Sequence, residues 1–140
     1  MRIYHSNNMS IREIKGVTDV QYDAWEAIRA AAVFTMKHLE LPGYLFVTVI
    51  GADTLRSGPE PDDCGFALYH SGIQHIAVAG GDGPDELQDD REHWLHELRV
   101  STIHEVVHYW QELQGTLTGS DENEDEAEKM AYEIAALIKD

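Results

Sequence analysis

The stretch "STIHEVVHYWQ", Ser101 to Gln111, places two histidines four residues apart and a glutamate directly after the first. On an α-helix, His104 and His108 lie one turn apart on the same face, so both imidazoles can reach one ion. Glu105 lies about 100° around the helix from His104, where it would reach a water bound to that ion. Two neutral nitrogen ligands, an open coordination position and a nearby carboxylate are what a catalytic zinc site requires. The stretch therefore predicts a helix that carries a hydrolytic zinc site.

A long helical pattern surrounds this motif. It runs from about Arg91 to Gln114, and Gly115 stands where helices commonly end in the left-handed conformation. Imidazoles in apolar surroundings need polar partners, which a metal ion or an ordinary hydrogen-bond network can supply. The motif alone therefore leaves both interpretations open. The apolar residues around the histidines are Val100, Ile103, Val106, Val107 and Trp110.

A third ligand must come from elsewhere in the chain, because catalytic zinc sites normally have three protein ligands and a water. The acidic run "DENEDEAEKMA", Asp121 to Ala131, predicts a second helix that begins near Ser120. On a helical wheel, Glu124 lies at the border of the apolar face of that helix. Glu128 lies one turn further along, and Glu126 flanks the other edge. Glu124 is therefore the predicted third ligand, Glu128 a predicted orienting residue, and Glu126 the alternative ligand.

Together the two segments resemble the gluzincin class of zinc metallopeptidases. "HEVVH", His104 to His108, matches the HExxH half of that pattern, which is followed by ExxA(D/N) on the next helix. "EDEAEKMA", Glu124 to Ala131, is similar to the "ExEANxFA" of the compact ImmA/IrrE-like peptidases and to the small minigluzincins. The resemblance implies a minimal zincin-like fold with Glu124 as third ligand. Glu128 stands where those families carry Asp or Asn, the residue that holds the first histidine.

The resemblance also implies a peptide substrate. In those families a strand beside the cleft pairs with an extended peptide, and Ile73–Ala79 has the composition of such an edge strand. A plain sheet strand is the alternative interpretation of the same residues. Tyr132 and His75 are candidate electrophiles toward a developing oxyanion, although core or surface roles would suit both equally well.

Local signals in the rest of the chain predict an α+β fold. The expected architecture is an N-terminal helix, a three-stranded and mainly antiparallel sheet, the motif helix and the C-terminal ligand helix. The predicted elements ahead of the motif are a short strand around Ile11–Val17, a helix from the capping box Thr18–Gln21 to Leu41–Gly43, a strand at Tyr44–Ile50, a hairpin of Gly65–His70 with Ile73–Ala79, and a short helix from Pro84.

Length and composition indicate one globular domain, residues 1–140, with an ordinary hydrophobic fraction of 43%. Cys64 is the only cysteine, which excludes an internal disulfide and a cysteine-built metal site. The neighbouring Asp62 and Asp63 would raise the pKa of its thiol, which argues against a catalytic cysteine. The N-terminus, "MRIYHSNNMS", has no apolar run of signal-peptide length, and no stretch reaches the length of a membrane span, so we expect a cytoplasmic protein without a membrane partner.

The net charge of −16 argues against nucleic acid as a partner, because phosphate binding depends mainly on lysine and arginine. The simplest interpretation is a well-solvated surface. Adaptation to high salt, or an acidic surface that recruits a basic partner, are the alternatives.

The sequence therefore predicts a zinc-dependent peptidase with one ion on His104, His108 and Glu124, and with Glu105 as general base. The rival prediction is a non-catalytic acidic domain, with a structural or inactive zinc site, that binds another protein.

Overall fold

Three helices and seven strands form an α+β fold within the described part of the chain. The computed structural model describes residues 1–60, 64–83, 87 and 89–138. The strands are β1 (Ile3–His5), β2 (Met9–Ile14), β3 (Leu45–Ile50), β4 (Leu55–Arg56), β5 (Cys64–Gly65), β6 (Ala67–His70) and β7 (His75–Ala79). The helices are α1 (Tyr22–His38), α2 (Arg91–Gln114) and α3 (Asp121–Ala135).

Five strands form one mixed sheet in the order β1-β2-β3-β7-β6. Strands β2, β3 and β7 run parallel, and β1 and β6 are antiparallel to their neighbours at the two edges. The prediction of a three-stranded, mainly antiparallel sheet is therefore wrong. The reason is that α1 connects β2 to β3, and a helical crossover of this kind joins strands that run parallel. Strands β4 and β5 form a separate two-stranded sheet.

The predicted hairpin is confirmed, since β6 pairs antiparallel with β7 and His70 lies opposite His75. The prediction that Ile73–Ala79 is an edge strand is wrong, however. Strand β7 pairs with β3 on one side and with β6 on the other. The edge of the sheet on this side is β6, which among the described strands pairs with β7 alone. The prediction failed because the parallel pairing of β7 with β3 joins distant segments and leaves no local sequence signal.

The N-terminal segment also differs from its prediction. The short strand expected around Ile11–Val17 is β2, which begins and ends earlier, and β1 was not predicted. The capping box is wrong: α1 begins after Gln21, whose side chain makes no capping hydrogen bond. The backbone N–H of Thr18 instead donates to the carbonyl of Gly51, and its hydroxyl is buried without a hydrogen-bond partner. Thr18 therefore belongs to a loop packed on the end of β3.

Both predicted C-terminal helices are confirmed. Helix α2 begins after Asp90, whose side chain accepts a hydrogen bond from the amide of His93. It ends at Gly115, with φ 77° in the left-handed region. Helix α3 begins after Ser120, whose hydroxyl accepts from the amide of Asn123.

Helix α2 lies between the sheet and α3, which places its polar strip at a boundary. One face of the sheet packs against α1 and α2 in the larger hydrophobic cluster. A second cluster joins α2 to α3 through Val100, Ile103, Val107, Ala127, Ala131 and Ile134. None of the helices in the described residues is long and apolar enough to span a bilayer.

Two predictions fall on residues that are not described. The short helix expected from Pro84 lies outside the described residues, as do Asp62 and Asp63. Cys64 itself is exposed, and its sulfur is a free thiol.

Candidate metal centre

The predicted ligands His104, His108 and Glu124 lie together where α2 and the first turn of α3 meet. Nε2 of His104 is 3.0 Å from Oε2 of Glu124, and Nε2 of His108 is 2.9 Å from Oε1 of the same carboxylate. The two rings are 4.7 Å apart between centroids and inclined by 78°. Glu124 therefore bridges the two imidazoles, and all three donor atoms point into one space.

This donor set suits a transition-metal ion. Its three ligand atoms lie within 4.8 Å of one another. Among the described residues, no other group of three or more histidine, cysteine or acidic side chains brings its ligand atoms together in this way. Zinc binds nitrogen and oxygen at about 2.0–2.2 Å in tetrahedral geometry, so neighbouring donors are expected to lie about 3.4 Å apart, close to the spacing found here. Two imidazole nitrogens and one carboxylate oxygen leave a fourth position free. The residues present thus fit zinc in kind, number and spacing.

Burial favours the ligand form of His104. Burial lowers the pKa of its imidazole, and His108 lowers it further, against the opposing charge of Glu124. A neutral imidazole offers the lone pair that a metal ion needs. His108 is buried as well.

Glu105 lies beside the cluster without belonging to it. Its Oε2 is 3.9 Å from Nε2 of His104, and the backbone N–H of Tyr69 donates to its carboxylate. Burial raises the pKa of Glu105 to about 8, the charge of Glu124 adds to this rise, and the Tyr69 amide opposes it. A carboxyl whose pKa lies near neutrality is suited to exchange protons with a reacting group.

A cleft of about 740 Å³ opens onto the cluster. Edge strand β6 forms one wall, and the loop between α2 and α3 forms another. The cleft is lined by residues from both helices as well, and its lining contains His104, Glu105, His108 and Glu124. The cluster is therefore accessible from outside along an unpaired strand edge.

Gln111 is a contact of the cluster that the sequence interpretation missed. Its Oε1 lies 2.8 Å from Nδ1 of His108, on the side of the ring opposite the cluster. Its Nε2 donates to the backbone carbonyl of Asn123 and to Oε1 of Glu126. A glutamine one helical turn after the second histidine was the available signal, because residues three apart share a helix face.

Tyr69 and Glu112 were missed as well. The Tyr69 hydroxyl donates to Oε1 of Glu112, and the amide of Gly72 donates to both oxygens of the same carboxylate. Glu112 lies on α2, one turn after His108. These hydrogen bonds therefore connect the end of the β6–β7 hairpin to the helix that carries both histidines. A single sequence cannot show this contact, which joins residues far apart in the chain.

Glu126 and Glu128, the other two carboxylates considered on α3, lie in different places relative to the metal cluster. Glu126 bonds to Gln111 and lies outside the metal cluster, so the ligand set contains Glu124. Glu128 lines a neighbouring cavity together with His104 and Glu105. Burial lowers the pKa of His104, and the charge of Glu128 is among the influences that oppose this lowering. Among the described contacts there is no hydrogen bond between Glu128 and His104, so an orienting role for Glu128 stays a prediction.

The two candidate oxyanion stabilisers lie in different places. Tyr132 is 48% exposed and lines the same neighbouring cavity as His104 and Glu105. His75 bonds to Thr48 and contacts His70. Because His75 is paired with Phe46 in register, it lies on the sheet face opposite the helix-covered core. The structure thus brings Tyr132 to the region of the cluster and does not bring His75.

Comparisons of this chain with protein families, with curated proteins and with solved structures found no match.

Proposed function

We propose that this protein is a zinc-dependent peptidase whose metal ion is held by His104, His108 and Glu124. The observation that carries the proposal is the convergence of these donor atoms within 4.8 Å beside an open cleft. The gluzincin-like HExxH-plus-glutamate pattern supports the same assignment. The gluzincin assignment itself and a cytoplasmic location stay predictions.

A bound zinc ion would polarise a carbonyl group as a Lewis acid and lower the pKa of water. In this proposal Glu105, whose carboxylate lies beside the cluster, accepts a proton from the attacking water and donates it later to the leaving amine. The Tyr69 amide holds the Glu105 carboxylate at the cleft wall. As ligands, His104 and His108 would each offer one ring nitrogen, and Glu124 would supply the single negative charge of the ligand set.

The proposed substrate is an extended peptide. We propose that it binds along the edge strand β6, and not along Ile73–Ala79 as the sequence had predicted. The carbonyl of Phe66 accepts from the amide of Ala79, so alternate residues of this strand pair with β7. The backbone groups of Ala67 and the carbonyl of Tyr69 consequently face away from the sheet, toward the cleft, whereas the amide of Tyr69 is engaged by Glu105. An exposed strand edge can add a peptide strand through such groups.

The substitution Glu105→Gln tests this proposal. It removes the base while leaving all three ligands, so zinc content and fold should be retained. Hydrolysis of a mixed peptide library should fall by about 10²-fold or more. The measurement is mass-spectrometric detection of cleaved peptides, beside zinc content by elemental analysis and circular dichroism. Glu122→Gln, an exposed carboxylate at the start of α3, is the matched control and should behave as the wild type.

The other outcomes are informative. Equal cleavage by wild type and Glu105→Gln would remove Glu105 from the mechanism. Zinc binding without cleavage by the wild type would favour a non-catalytic zinc domain, in which the acidic body binds a partner. Absence of zinc after reconstitution would contradict the metal centre itself.

A further inference from the structure

We propose that Gln111 is a positioning residue that fixes the tautomer and the orientation of His108. This inference rests on the proposed metal centre and concerns how that centre is held. Gln111 is wholly buried, with 0% of its surface exposed, and its amide makes three hydrogen bonds. A polar side chain that is shielded from water needs hydrogen-bond partners within the protein, because its burial is otherwise costly.

The direction of these bonds follows from the chemistry of the partners. The nitrogen side of the Gln111 amide faces a backbone carbonyl at 2.9 Å and a carboxylate oxygen at 2.8 Å, belonging to Asn123 and Glu126. A backbone carbonyl can only accept a hydrogen bond, so the end of the amide that faces Asn123 must be the NH₂ group. The opposite end is therefore the carbonyl oxygen, and it faces His108.

The carbonyl oxygen of Gln111 can only accept a hydrogen bond. Nδ1 of His108, 2.8 Å away, must therefore carry the proton. In the neutral ring the other nitrogen, Nε2, then has the free lone pair, and this is the atom directed at Glu124 and the ion site. The amide thus selects the tautomer that binds metal, and it fixes the ring rotation as well.

The same amide also joins the two helices that supply the ligands. Asn123 and Glu126 flank Glu124 on α3, whereas Gln111 belongs to α2. The side chain of Asn123 in turn accepts from the amides of Thr118 and Gly119 and so anchors the connecting loop. Gln111 therefore holds the spacing between His108 and Glu124 through short, buried contacts.

His104 lacks such a contact. Within the described residues no hydrogen bond reaches Nδ1 of His104, whose contacts with carboxylates involve Nε2. The two histidines are thus held differently, and His108 is the one that the fold orients before an ion binds. Loss of Gln111 should consequently weaken metal binding even though Gln111 does not contact the ion.

The test compares three variants by their zinc affinity, measured by competition with a chelator. Gln111→Met keeps approximate size and removes the acceptor, and it should weaken zinc binding by about 10- to 100-fold. Gln111→Glu keeps an acceptor for Nδ1 of His108 but loses the donor to Asn123 and Glu126, so it should weaken zinc binding clearly less than Gln111→Met does. Glu126→Gln, the matched control, keeps an acceptor for the Gln111 amide and should stay within about threefold of the wild type.

Two further readouts separate positioning from general stability. Thermal unfolding of the metal-free protein should show that both Gln111→Met and Gln111→Glu are destabilised, since each loses the donor to Asn123. The visible spectrum of the cobalt-substituted protein should change only in Gln111→Met. Where Gln111→Met does not fold, Gln111→Asn replaces it, because its shorter side chain withdraws the carbonyl from His108.

Unchanged zinc affinity in Gln111→Met would overturn the proposal, and so would equal losses in Gln111→Met and Gln111→Glu. A wild type that binds no zinc would overturn both this inference and the metal centre. A wild type that binds zinc but cleaves no peptide would contradict only the proposed peptidase function, because the affinities are measured without turnover.

Discussion

Glu124 differs from its acidic neighbours in what its oxygens contact. Each oxygen lies within about 3 Å of a histidine nitrogen, although 58% of the side chain is exposed. Glu126, two residues on, contacts Gln111 instead. The helical wheel predicts this difference, because only a residue at the border of the buried face can reach the neighbouring helix and still remain open to solvent.

At this residue scale we predict that Glu124→Ala loses the metal. The wild type, purified without added metal, should contain about one zinc per chain, and the variant should contain little, because two histidines alone bind zinc poorly. Elemental analysis of both proteins measures the effect. Asp125→Ala, a change at the adjacent exposed carboxylate, is the control. Equal zinc in Glu124→Ala and wild type would move the third ligand to another residue.

At the scale of elements, an ion pair fastens the start of α2 to the start of α1. Nε and Nη2 of Arg91 donate to the two oxygens of Asp23 at 2.7 and 2.6 Å. Arg91 also donates to the carbonyl of Asp82, in the loop that follows β7. This contact sets where α2 begins relative to the sheet, and α2 carries the two histidines. The hydrogen bonds from Arg91 are the main cause that lowers the pKa of Asp23, against the effect of burial.

We predict from this a specific acid dependence of stability. A carboxyl whose pKa is lower in the folded state contributes stability above its unfolded value of 3.8, and the contribution is lost as the pH falls through the lower, folded value. The contribution should be below about 1 kcal/mol, because Asp23 is 41% exposed and solvent screens the pair.

Urea unfolding of Asp23→Asn and wild type, both metal-free, measures the effect. It is carried out at about pH 6, where ordinary carboxylates are ionised, and near pH 3, where most are protonated. The variant should be less stable at the higher pH, and the difference should shrink at the lower one. Asp19→Asn, at a site 78% exposed and 3.9 Å from Lys15, is the control and should show little change. A difference that grows on acidification would contradict the prediction.

At the scale of the whole molecule, the excess of acidic residues acts on every element at once. Twenty-six aspartates and glutamates against ten lysines and arginines make the net charge −16. Self-repulsion of this kind destabilises the compact state, and salt screens it. Adaptation to high salt and recruitment of a basic partner both stay predictions.

We predict that salt stabilises this protein. Raising the ionic strength from about 0.01 M to about 0.15 M shortens the screening length from about 30 Å to about 8 Å. The Tm of the metal-free protein at neutral pH should rise, and a gain of about 1 kcal/mol corresponds to about 4 °C. Repeating the scan near the sequence pI of 4.6 should give a smaller rise, because the net charge is then small. An unchanged or lower Tm at neutral pH would contradict the prediction.

Three features of the structure were open to prediction from the sequence. The bounds of α2 and the starts of both C-terminal helices follow from periodicity and capping, which depend only on residues within a turn or two. The ligand set His104, His108 and Glu124 follows from the same periodicity, because a helix converts spacing along the chain into a shared face. The β6–β7 hairpin belongs here too, since its turn joins adjacent segments.

The tertiary structure alone decided the rest. The parallel pairing of β2, β3 and β7 unites segments separated by a helix and by long loops, so the sheet order and the true edge strand left no local signal. The Tyr69 amide on Glu105 and the orientation of Gln111 likewise depend on contacts between distant elements. The sequence by itself determined which atoms can bind an ion, because that depends on helix geometry. Only the folded chain decided which backbone and side-chain groups hold those atoms in place, because long-range packing selects these partners.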